Sequence, residues 1–315
     1  MTTELWAKMG PGVEFDLIRR MAERWGDLVQ HAGDDAAILD LKHGARLVAS
    51  TDTSLEGVHF RREWLSLQEI GYRATIASLS DLAAVAAEPI GLLIAATIPA
   101  GIAESIEMLA DGIGIAARES GCPIVGGDLT GGDRISLTMT VLGAAASPVG
   151  RDGARVGAGI WVTGRLGAPG AAVRALLAGE LPSAEHYPRF ARPVARLAEA
   201  RWLAEAGATA LIDISDGLSS DARHIAAASG VALEIDIDAI PCVPDVTPRA
   251  AATSGEEYEL LLAAPDELDV ASFTSTFGIP LTRVGTVIEG MAGDVTFTEY
   301  GERVDLAAGY DHFSA

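Results

Sequence analysis

The sequence predicts an α/β protein built from two domains, and three observations support that fold class. The chain has 315 residues, of which 49% are hydrophobic, enough for two ordinary domains with apolar cores. Strand-like and helix-like segments alternate along it, with 35 glycines available for the connections. A small, uncharged, turn-forming stretch at residues 144–150 is the best candidate for the domain boundary.

Hydrophobic periodicity assigns the elements of the first half of the chain. Apolar residues recur at helical spacing between Phe15 and Trp25, which predicts a helix over residues 14–25. Ser66 and Glu69 have the spacing of a capping box, so a second helix is expected from there to about residue 87, before Pro89. The other predicted elements are strands at residues 36–41, 46–50, 92–98, 123–125 and 135–142, and a helix at residues 103–119.

The second half repeats the alternation of strands and helices. Residues 164–170 predict a loop, in which Pro169 indicates a structural turn, and residues 182–193 predict another loop. A short strand at residues 211–214 leads directly into a helix at residues 218–229. The remaining predictions are strands at residues 160–163, 233–237, 258–263 and 281–287, and a helix at residues 171–177.

Charge and composition exclude several classes of protein. The formal net charge is −21, whereas nucleic acids and anionic membranes require cationic surfaces, so neither is an expected partner. Cys122 and Cys242 form no CxxC pair, which makes zinc and redox-motif sites weak hypotheses. The first residues lack the apolar core of a signal peptide, and no apolar stretch is long enough to span a bilayer. We therefore expect a soluble cytoplasmic protein.

Seven aspartates beside glycine or serine form five short acidic motifs. Clustered carboxylates repel one another and lose hydration when buried. Hard cations with oxygen ligands offset both costs, and Mg²⁺ usually arrives together with substrate phosphates. The motifs therefore predict an enzyme that handles phosphate groups through several metal ions. They are Gly33-Asp34-Asp35, Ser50-Thr51-Asp52, Ser80-Asp81, Gly126-Gly127-Asp128 and Asp213-Ile214-Ser215-Asp216-Gly217.

Two of these aspartates, Asp81 and Asp216, also have explanations that need no metal, whereas Asp213 is not explained by capping. Asp81 shares a helix face with small apolar residues, where it could bind a cation or pair with an arginine or a backbone amide. Asp213 ends an apolar strand, at the carboxyl edge where α/β proteins bind ligands. Asp216 has the position of a helix N-cap, which by itself would account for it.

The glycine pair and the histidine are similarly open to two interpretations. Gly126 and Gly127 follow a predicted strand, where they could bring amides close to a phosphate or simply form a tight turn. His59, between two apolar residues, is more typical of a packed or capping residue than of a ligand. The sequence lacks GxxxxGK[ST] and GxSxG motifs, so a nucleotide would be held by metals, glycine amides and arginines, and a serine hydrolase is not supported.

Taken together, the motifs resemble those of the thiamine-monophosphate kinase family, within the PurM-like ATP-binding superfamily. They occur in family order over nearly the whole chain, and as an ordered set they are specific. Besides the acidic motifs, the matching segments are Glu14-Phe15-Asp16-Leu17-Ile18, Glu56-Gly57-Val58-His59-Phe60, Gly255-Glu256-Glu257-Tyr258-Glu259-Leu260 and Gly309-Tyr310-Asp311-His312-Phe313.

The resemblance implies a fold, a reaction and a set of site residues. The fold would be a PurM-like N-terminal α/β domain at residues 1–148, which binds ATP and Mg²⁺ and forms a homodimer by sheet-to-sheet packing, followed by a PurM-like α/β domain at residues 149–315. The reaction would be ATP-dependent phosphorylation of thiamine monophosphate to thiamine diphosphate. The implied metal ligands are Asp35, Ser50, Thr51, Asp52, Asp81, Asp128, Asp213 and Asp216; ATP would contact Gly127, Asp128, Arg151 and Ser215; and His59, Glu256 and Tyr310 would line the thiamine-phosphate pocket.

Within that set, four residues are expected to act on the transferred phosphoryl group. Asp81, Asp128 and Asp213 would neutralise charge through metal ions, and Arg151 would stabilise charge on the transferred group itself.

The sequence departs from the family pattern at three positions. The family usually reads GGEDYE, whereas Ser254 replaces the first glycine and Glu257 the aspartate. Members often carry an aromatic residue six positions before the double glycine, suited to stacking on adenine, where this chain has Ser120. Nucleotide base selectivity is therefore expected to differ from that of such relatives.

Two classes of alternative function remain. Aminoimidazole-ribotide synthetase, selenophosphate synthetase and a hydrogenase-maturation dehydratase belong to the same superfamily. The last two rely on a cysteine near the N-terminus or at the C-terminus, which the positions of Cys122 and Cys242 do not match. A non-catalytic binding protein that senses thiamine phosphates is the other alternative, and the completeness of the aspartate set argues against it.

Overall fold

The computed structural model describes residues 13–29 and 41–306, which form two compact units. The first unit contains the described residues up to Leu82 together with Ala87–Ser147. The second contains Ala83–Ala86 and the described residues from Pro148 onward. Each unit has its own β-sheet with helices packed against it, so the α/β fold class is confirmed. Within the described residues, no helix has the length and apolarity that a membrane crossing requires.

The first unit is a four-stranded mixed sheet with helices on one face. The strands lie in the order β1-β4-β2-β3, and only the β2–β3 pair is parallel. Alternate residues of β4, from Leu137 to Gly143, are buried on the face that helix α2 covers through Leu82. The elements are α1 (Val13–Trp25), β1 (Arg46–Leu55), α2 (Leu67–Ala83), β2 (Glu88–Ile98), α3 (Ile106–Glu119), β3 (Ile124–Gly131) and β4 (Ser136–Ala145).

Glycines allow the helices of this unit to pack at backbone distance. A Cβ on Gly112 of α3 would lie 1.8 Å from the Gln68 carbonyl oxygen of α2, so no other residue fits there. Trp25 of α1 packs against Gly114 of α3, and its indole N–H donates to the Ala110 carbonyl at 2.8 Å. This close packing fixes α2, which carries Asp81, relative to the rest of the unit.

The second unit contains a seven-stranded sheet in the order β11-β10-β7-β9-β5-β8-β6, parallel only between β10 and β7. The hydrophobic cluster around this sheet is almost entirely aliphatic, with Phe297 as its aromatic member among the described residues. The strands are β5 (Gly159–Thr163), β6 (Ala210–Asp213), β7 (Ala232–Asp236), β8 (Leu260–Ala264), β9 (Leu281–Ile288), β10 (Val295–Glu299) and β11 (Glu302–Val304). The helices are α4 (Ala168–Leu177), α5 (Tyr187–Ala191), α6 (Leu197–Glu205), α7 (Leu218–Ser229), α8 (Pro248–Ala252) and α9 (Val270–Phe277).

Several predicted elements differ in extent from those observed. Helix α2 ends at Ala83 rather than near residue 87, because the Ala87 N–H donates back to the Leu82 carbonyl and Ala86 adopts a left-handed φ of 56°. The predicted loop at residues 164–170 already contains the start of α4, whose second position accepts Pro169 because no helical donor is needed there. The predicted loop at residues 182–193 contains α5, and the predicted strand at residues 36–41 lies outside the described residues.

Candidate functional site

The Ser50–Asp81 pair joins two of the predicted metal ligands in the first unit. The Ser50 hydroxyl donates to the Asp81 carboxylate at 2.6 Å, from strand β1 to the last turn of α2. Asp81 is half-buried, so its charge is only partly hydrated. The sequence allows an arginine or a backbone amide as the partner of Asp81. The structure shows the Ser50 hydroxyl as one partner.

Strand alternation places Ser50 and Asp52 on the helix-covered face of the first sheet. In the antiparallel pairing of β1 with β4, Ser50 lies opposite Val141 and Asp52 lies opposite Met139, both fully buried on that face. Asp52 is itself exposed, at the edge strand, and accepts a hydrogen bond from the following backbone amide at 2.9 Å. Ser50, Asp52 and Asp81 are therefore presented on the same side of the sheet.

Thr51 and Asp128 lie on the opposite face. Thr51 pairs with Thr140, and their hydroxyl oxygens are 3.0 Å apart. Asp128 pairs with Ala95 of β2, which pairs in turn with Thr138 of β4, so Asp128 shares the face of the threonines. The predicted ligands of this unit are thus divided between two faces of one sheet, and a single ion cannot serve them all.

The glycine pair lies inside a strand and not after one, which corrects the sequence prediction. Gly126, Gly127 and Asp128 belong to β3, whose parallel pairing with β2 continues to Gly131. A Cβ on Gly127 would lie 2.0 Å from the Ile94 carbonyl oxygen, so this strand contact requires glycine. The alternative of a tight turn at this pair is therefore wrong.

His59 lies in the turn that follows β1. Its Nδ1 accepts a hydrogen bond from the Leu55 backbone amide at 3.1 Å, which requires that nitrogen to be unprotonated. One ring nitrogen of His59 therefore caps a backbone amide, which is one of the roles that the sequence favours for this residue. The turn is closed by further backbone bonds between Gly57 and Phe60.

In the second unit, the segment that follows β6 is held by a second segment of the chain. Asp213 ends β6 and is 4% exposed. The Ser215 carbonyl accepts from the Glu256 amide at 2.6 Å, and the Ile214 carbonyl accepts from the Tyr258 amide at 2.9 Å. Two predicted site residues, Ser215 and Glu256, are therefore joined directly through their backbones.

Asp216 is not the N-cap of α7, contrary to the sequence prediction. Gly217 occupies that position, with a φ of 107° that favours glycine, and no side chain caps the helix there. The Asp216 and Ser215 amides donate instead to Asp221, in the first turn of α7. The Asp216 carboxylate therefore does not cap this helix.

Asp221 is a further candidate residue, which the acidic motifs of the sequence do not include. Burial, together with the charges of Asp213 and Asp216, raises the pKa of Asp221 to about 8, even though two backbone amides stabilise its ionised form. It is 1% exposed, and its Oδ2 has no hydrogen-bond partner among the described residues. The available signal was a carboxylate on an apolar helix stripe, one turn from Leu218 and Ile225, the same signal that singled out Asp81.

Arg151 is exposed near the start of the second unit, and its backbone is anchored. The Ser229 hydroxyl at the end of α7 donates to the Arg151 carbonyl at 2.8 Å and accepts from the Ala154 amide at 3.0 Å. Asp35 and Tyr310, predicted as a metal ligand and a substrate contact, lie outside the described residues. Within residues 13–29 and 41–306, no group of three or more acidic, histidine or cysteine side chains is arranged so that it could hold a metal ion.

Both units of the chain match domain models of known proteins. Residues 33–145 match the N-terminal domain, and residues 155–297 the C-terminal domain, of the AIR synthase related protein models. The thiamine-monophosphate kinase of Salmonella typhimurium strain LT2 is 35% identical over 96% of this chain and 98% of its own. The crystal structure of thiamine-monophosphate kinase from Stenotrophomonas maltophilia K279a superposes with a TM-score of 0.81, at 32% identity over 92% of this chain and 98% of that one.

A further solved structure carries ligands. It is described as AaThiL complexed with AMPPCP and TMP, is 28% identical, covers 95% of this chain and 96% of its own, and has a TM-score of 0.75. The relatives match over nearly their whole length and over both units of this chain. The chain therefore belongs to the thiamine-monophosphate kinase family.

Proposed function

We propose that this protein transfers the γ-phosphoryl group of ATP directly to thiamine monophosphate, with Mg²⁺, giving thiamine diphosphate and ADP. The observation that carries the proposal is the match, over nearly the full length, to thiamine-monophosphate kinases, one structural neighbour of which binds AMPPCP and TMP together. Aspartates of both units of this chain support the proposal.

The chemistry of the acceptor explains why carboxylates dominate the candidate site. A phosphate monoester has a second pKa near ~6, so its oxygen is already largely anionic at neutral pH and requires no strong general base. The obstacle is the repulsion between two polyanions. Mg²⁺ would supply charge neutralisation and in-line orientation of the two phosphates when bound. The aspartates hold that charge in place, and Arg151 would stabilise the transferred group.

Carboxylates of both units support such ions, although no three acidic, histidine or cysteine side chains among the described residues are arranged to hold one. Asp213, Asp216 and Asp221 bring three carboxylates around one segment, and the Oδ2 of Asp221 is buried and lacks a partner among the described residues. In the first unit, Asp81 and Ser50 on one face of the sheet, and Asp128 on the other, require more than one ion. The proposed ligands are Asp35, Ser50, Thr51, Asp52, Asp81, Asp128, Asp213 and Asp216.

We also propose a role for each unit and for the residues that would contact the two substrates. We assign ATP and Mg²⁺ binding to residues 1–148 and a second PurM-like domain to residues 149–315. Gly127, Asp128, Arg151 and Ser215 would contact ATP, and His59, Glu256 and Tyr310 would contact thiamine monophosphate.

We also propose a homodimer formed by the first sheet. The sheet face opposite α2 carries two exposed threonines of β1, each paired with a half-buried threonine of β4. The hydroxyl contacts are 3.0 Å at Thr51–Thr140 and 2.9 Å at Thr53–Thr138. Light scattering of the purified protein tests this, and a monomer at micromolar concentration would contradict it. Two free cysteines, one of them buried, support a reducing compartment such as the cytoplasm.

One assay separates this function from a non-catalytic sensor. Purified protein is incubated with ATP, thiamine monophosphate and Mg²⁺, and the products are resolved by chromatography. Thiamine diphosphate and ADP should form in equal amounts, and free thiamine should not be phosphorylated because the acceptor must be a phosphate oxygen. Binding of thiamine monophosphate without any diphosphate, at saturating Mg²⁺, would favour the sensor.

A further inference from the structure

The buried carboxyl group of Glu257 is hydrogen-bonded to the residue that precedes helix α4. It is 3% exposed, and its Oε1 accepts a hydrogen bond of 2.6 Å from the Gly167 amide. Its Oε2 has no hydrogen-bond partner among the residues that the structure describes. Leaving one oxygen of a buried carboxyl group without a hydrogen bond costs free energy of folding.

Ser254 makes a parallel connection to the same helix. It is 1% exposed, and its hydroxyl oxygen accepts from the Gly170 amide at 3.0 Å. Helix α4 begins after Gly167, which has no side chain and a φ of 106°, and Pro169 in its first turn has no amide hydrogen. The Gly167 and Gly170 amides at the start of α4 are therefore bonded from outside the helix, by Glu257 and Ser254 respectively.

The segment that carries these two side chains is conformationally strained. Glu256 has a φ of 61° and Tyr258 a φ of 52°, a left-handed region that residues with a side chain rarely adopt. The same two residues donate their amides to the Ser215 and Ile214 carbonyls. Gly255 packs so closely that a Cβ there would lie 2.8 Å from the Ser215 carbonyl oxygen.

We propose that Ser254 and Glu257 are positioning residues: by bonding the start of α4, they hold Glu256 in its left-handed conformation against the Asp213–Asp216 segment, in the geometry that binds the acceptor phosphate ester. The inference rests on the proposed function, in which Glu256 contacts thiamine monophosphate. Neither Ser254 nor Glu257 touches substrate in this account. Their effect reaches the acceptor through the backbone bonds of Glu256 and Tyr258.

Kinetics of three variants test the role. Glu257→Ala and Ser254→Ala should each raise the KM for thiamine monophosphate about tenfold, as the loss of one buried hydrogen bond predicts, with kcat and the KM for ATP changed less than about twofold. Glu257→Gln keeps an oxygen that accepts from Gly167 and should remain close to wild type. Equal increases in both KM values, or an equally impaired Glu257→Gln, would overturn the proposal.

Asp269→Ala is the matched control. Asp269 caps α9 by accepting from the Ser272 amide at 2.9 Å, so its loss removes one capping hydrogen bond from the same unit. It should lower the melting temperature without changing either KM. If Glu257→Ala behaves like Asp269→Ala, the role of Glu257 is structural only. If Glu257→Ala does not fold, the KM for thiamine monophosphate of Ser254→Ala and of Glu257→Gln tests the proposal.

Amide hydrogen exchange separates this inference from the proposed function. The Glu256 and Tyr258 amides should exchange at least about tenfold faster in Ser254→Ala and Glu257→Ala than in wild type, and should be unchanged in Asp269→Ala. That readout needs no turnover. A wild-type protein that fails to make thiamine diphosphate would contradict the proposed function alone, whereas unchanged exchange at Glu256 in both variants would contradict the positioning role.

Discussion

The Ser50 hydroxyl donates to the Asp81 carboxylate at 2.6 Å and so ties strand β1 to the last turn of α2. A neutral hydroxyl stabilises a carboxylate without cancelling its charge. The pair therefore keeps a half-buried negative charge in a fixed position, which is what a site for a cation requires.

Asp81→Asn should lower kcat by at least about 100-fold while leaving the fold intact, because the lost charge matters most when charge develops on the transferred group. The amide keeps the size of the side chain and can still accept from Ser50. Turnover is measured across a Mg²⁺ titration, with circular dichroism to verify folding.

Asp111→Asn is the control for this change. Asp111 is an aspartate of α3 that is paired with Arg24 at 2.5 Å, and its substitution alters the net charge by the same amount. It should retain near wild-type turnover. An Asp81→Asn enzyme that reaches wild-type kcat at high Mg²⁺ would show that Asp81 is not a required ligand.

Asp221→Asn should stabilise the protein in the absence of divalent ions. The substitution removes a buried carboxylate that lies beside those of Asp213 and Asp216, and the amide oxygen can still accept from the Ser215 and Asp216 amides. The melting temperature in chelator should rise by about 4 °C or more, and added Mg²⁺ should raise it further by less than in wild type.

The exposed Asp294→Asn serves as the control for that measurement and should shift neither value. A melting temperature of Asp221→Asn that is equal to or below that of wild type in chelator would contradict the electrostatic argument. It would show that the ionised carboxylate of Asp221 is needed to hold the segment after β6.

Glu257 should make folding stability depend on pH in a predictable direction. Burial raises the pKa of Glu257 from 4.5 to about 8, opposed by the Ser254 hydroxyl and the Gly167 amide and, through its charge, by Arg189, while the charge of Glu259 raises it further. The folded state thus holds the proton more tightly than the unfolded state. The stability due to Glu257 is fully present below about pH 4.5 and is lost as pH rises through about 8.

Glu257→Gln should remove that dependence. The variant should therefore gain stability relative to wild type as the pH rises from 5 to about 8, by an amount that urea unfolding at several pH values can measure. Glu267→Gln, an exposed change in the same unit, should run parallel to wild type. Parallel curves for Glu257→Gln and wild type would mean that Glu257 is ionised in the folded state at neutral pH.

Local signals in the sequence predicted the local parts of this structure. The capping box was confirmed, since the Ser66 amide donates to Glu69 at 2.8 Å and the Glu69 amide donates back at 3.2 Å. Helix α7 was predicted at its observed bounds. Short elements such as α8 and β11 were missed, because five and three residues carry too little periodicity to identify.

The arrangement of the site could not be predicted in the same way. The placement of Asp128 on the face opposite Ser50 depends on the register of three strand pairs, which no local pattern specifies. Asp221 was missed because an acidic residue in the first turn of a helix is ordinarily explained by the helix dipole. Its burial against Asp213 and Asp216 depends on the tertiary fold.

Ser120 gives the prediction for nucleotide selectivity. It is the half-buried C-cap of α3, and its amide donates to the Ala116 carbonyl at 3.0 Å. This bond is made by the backbone, so a substitution of the side chain leaves it in place. A stacked aromatic ring is worth roughly 1–3 kcal/mol per base in nucleic-acid sites, equivalent to about tenfold or more in affinity. Contacts of metals with the triphosphate are the same for every nucleotide. The wild-type enzyme should therefore use GTP almost as well as ATP.

Ser120→Tyr should lower the KM for ATP by about tenfold and leave that for GTP less improved, because the added ring favours adenine where the serine offers no stacking surface. Ser120→Ala, which adds no ring, is the control and should match wild type for both nucleotides. The KM values for ATP and GTP are compared at saturating thiamine monophosphate. Unchanged ATP binding and unchanged base preference in Ser120→Tyr would show that another side chain already covers the adenine. Arg118, in the last turn of the same helix, would then be the first residue to substitute.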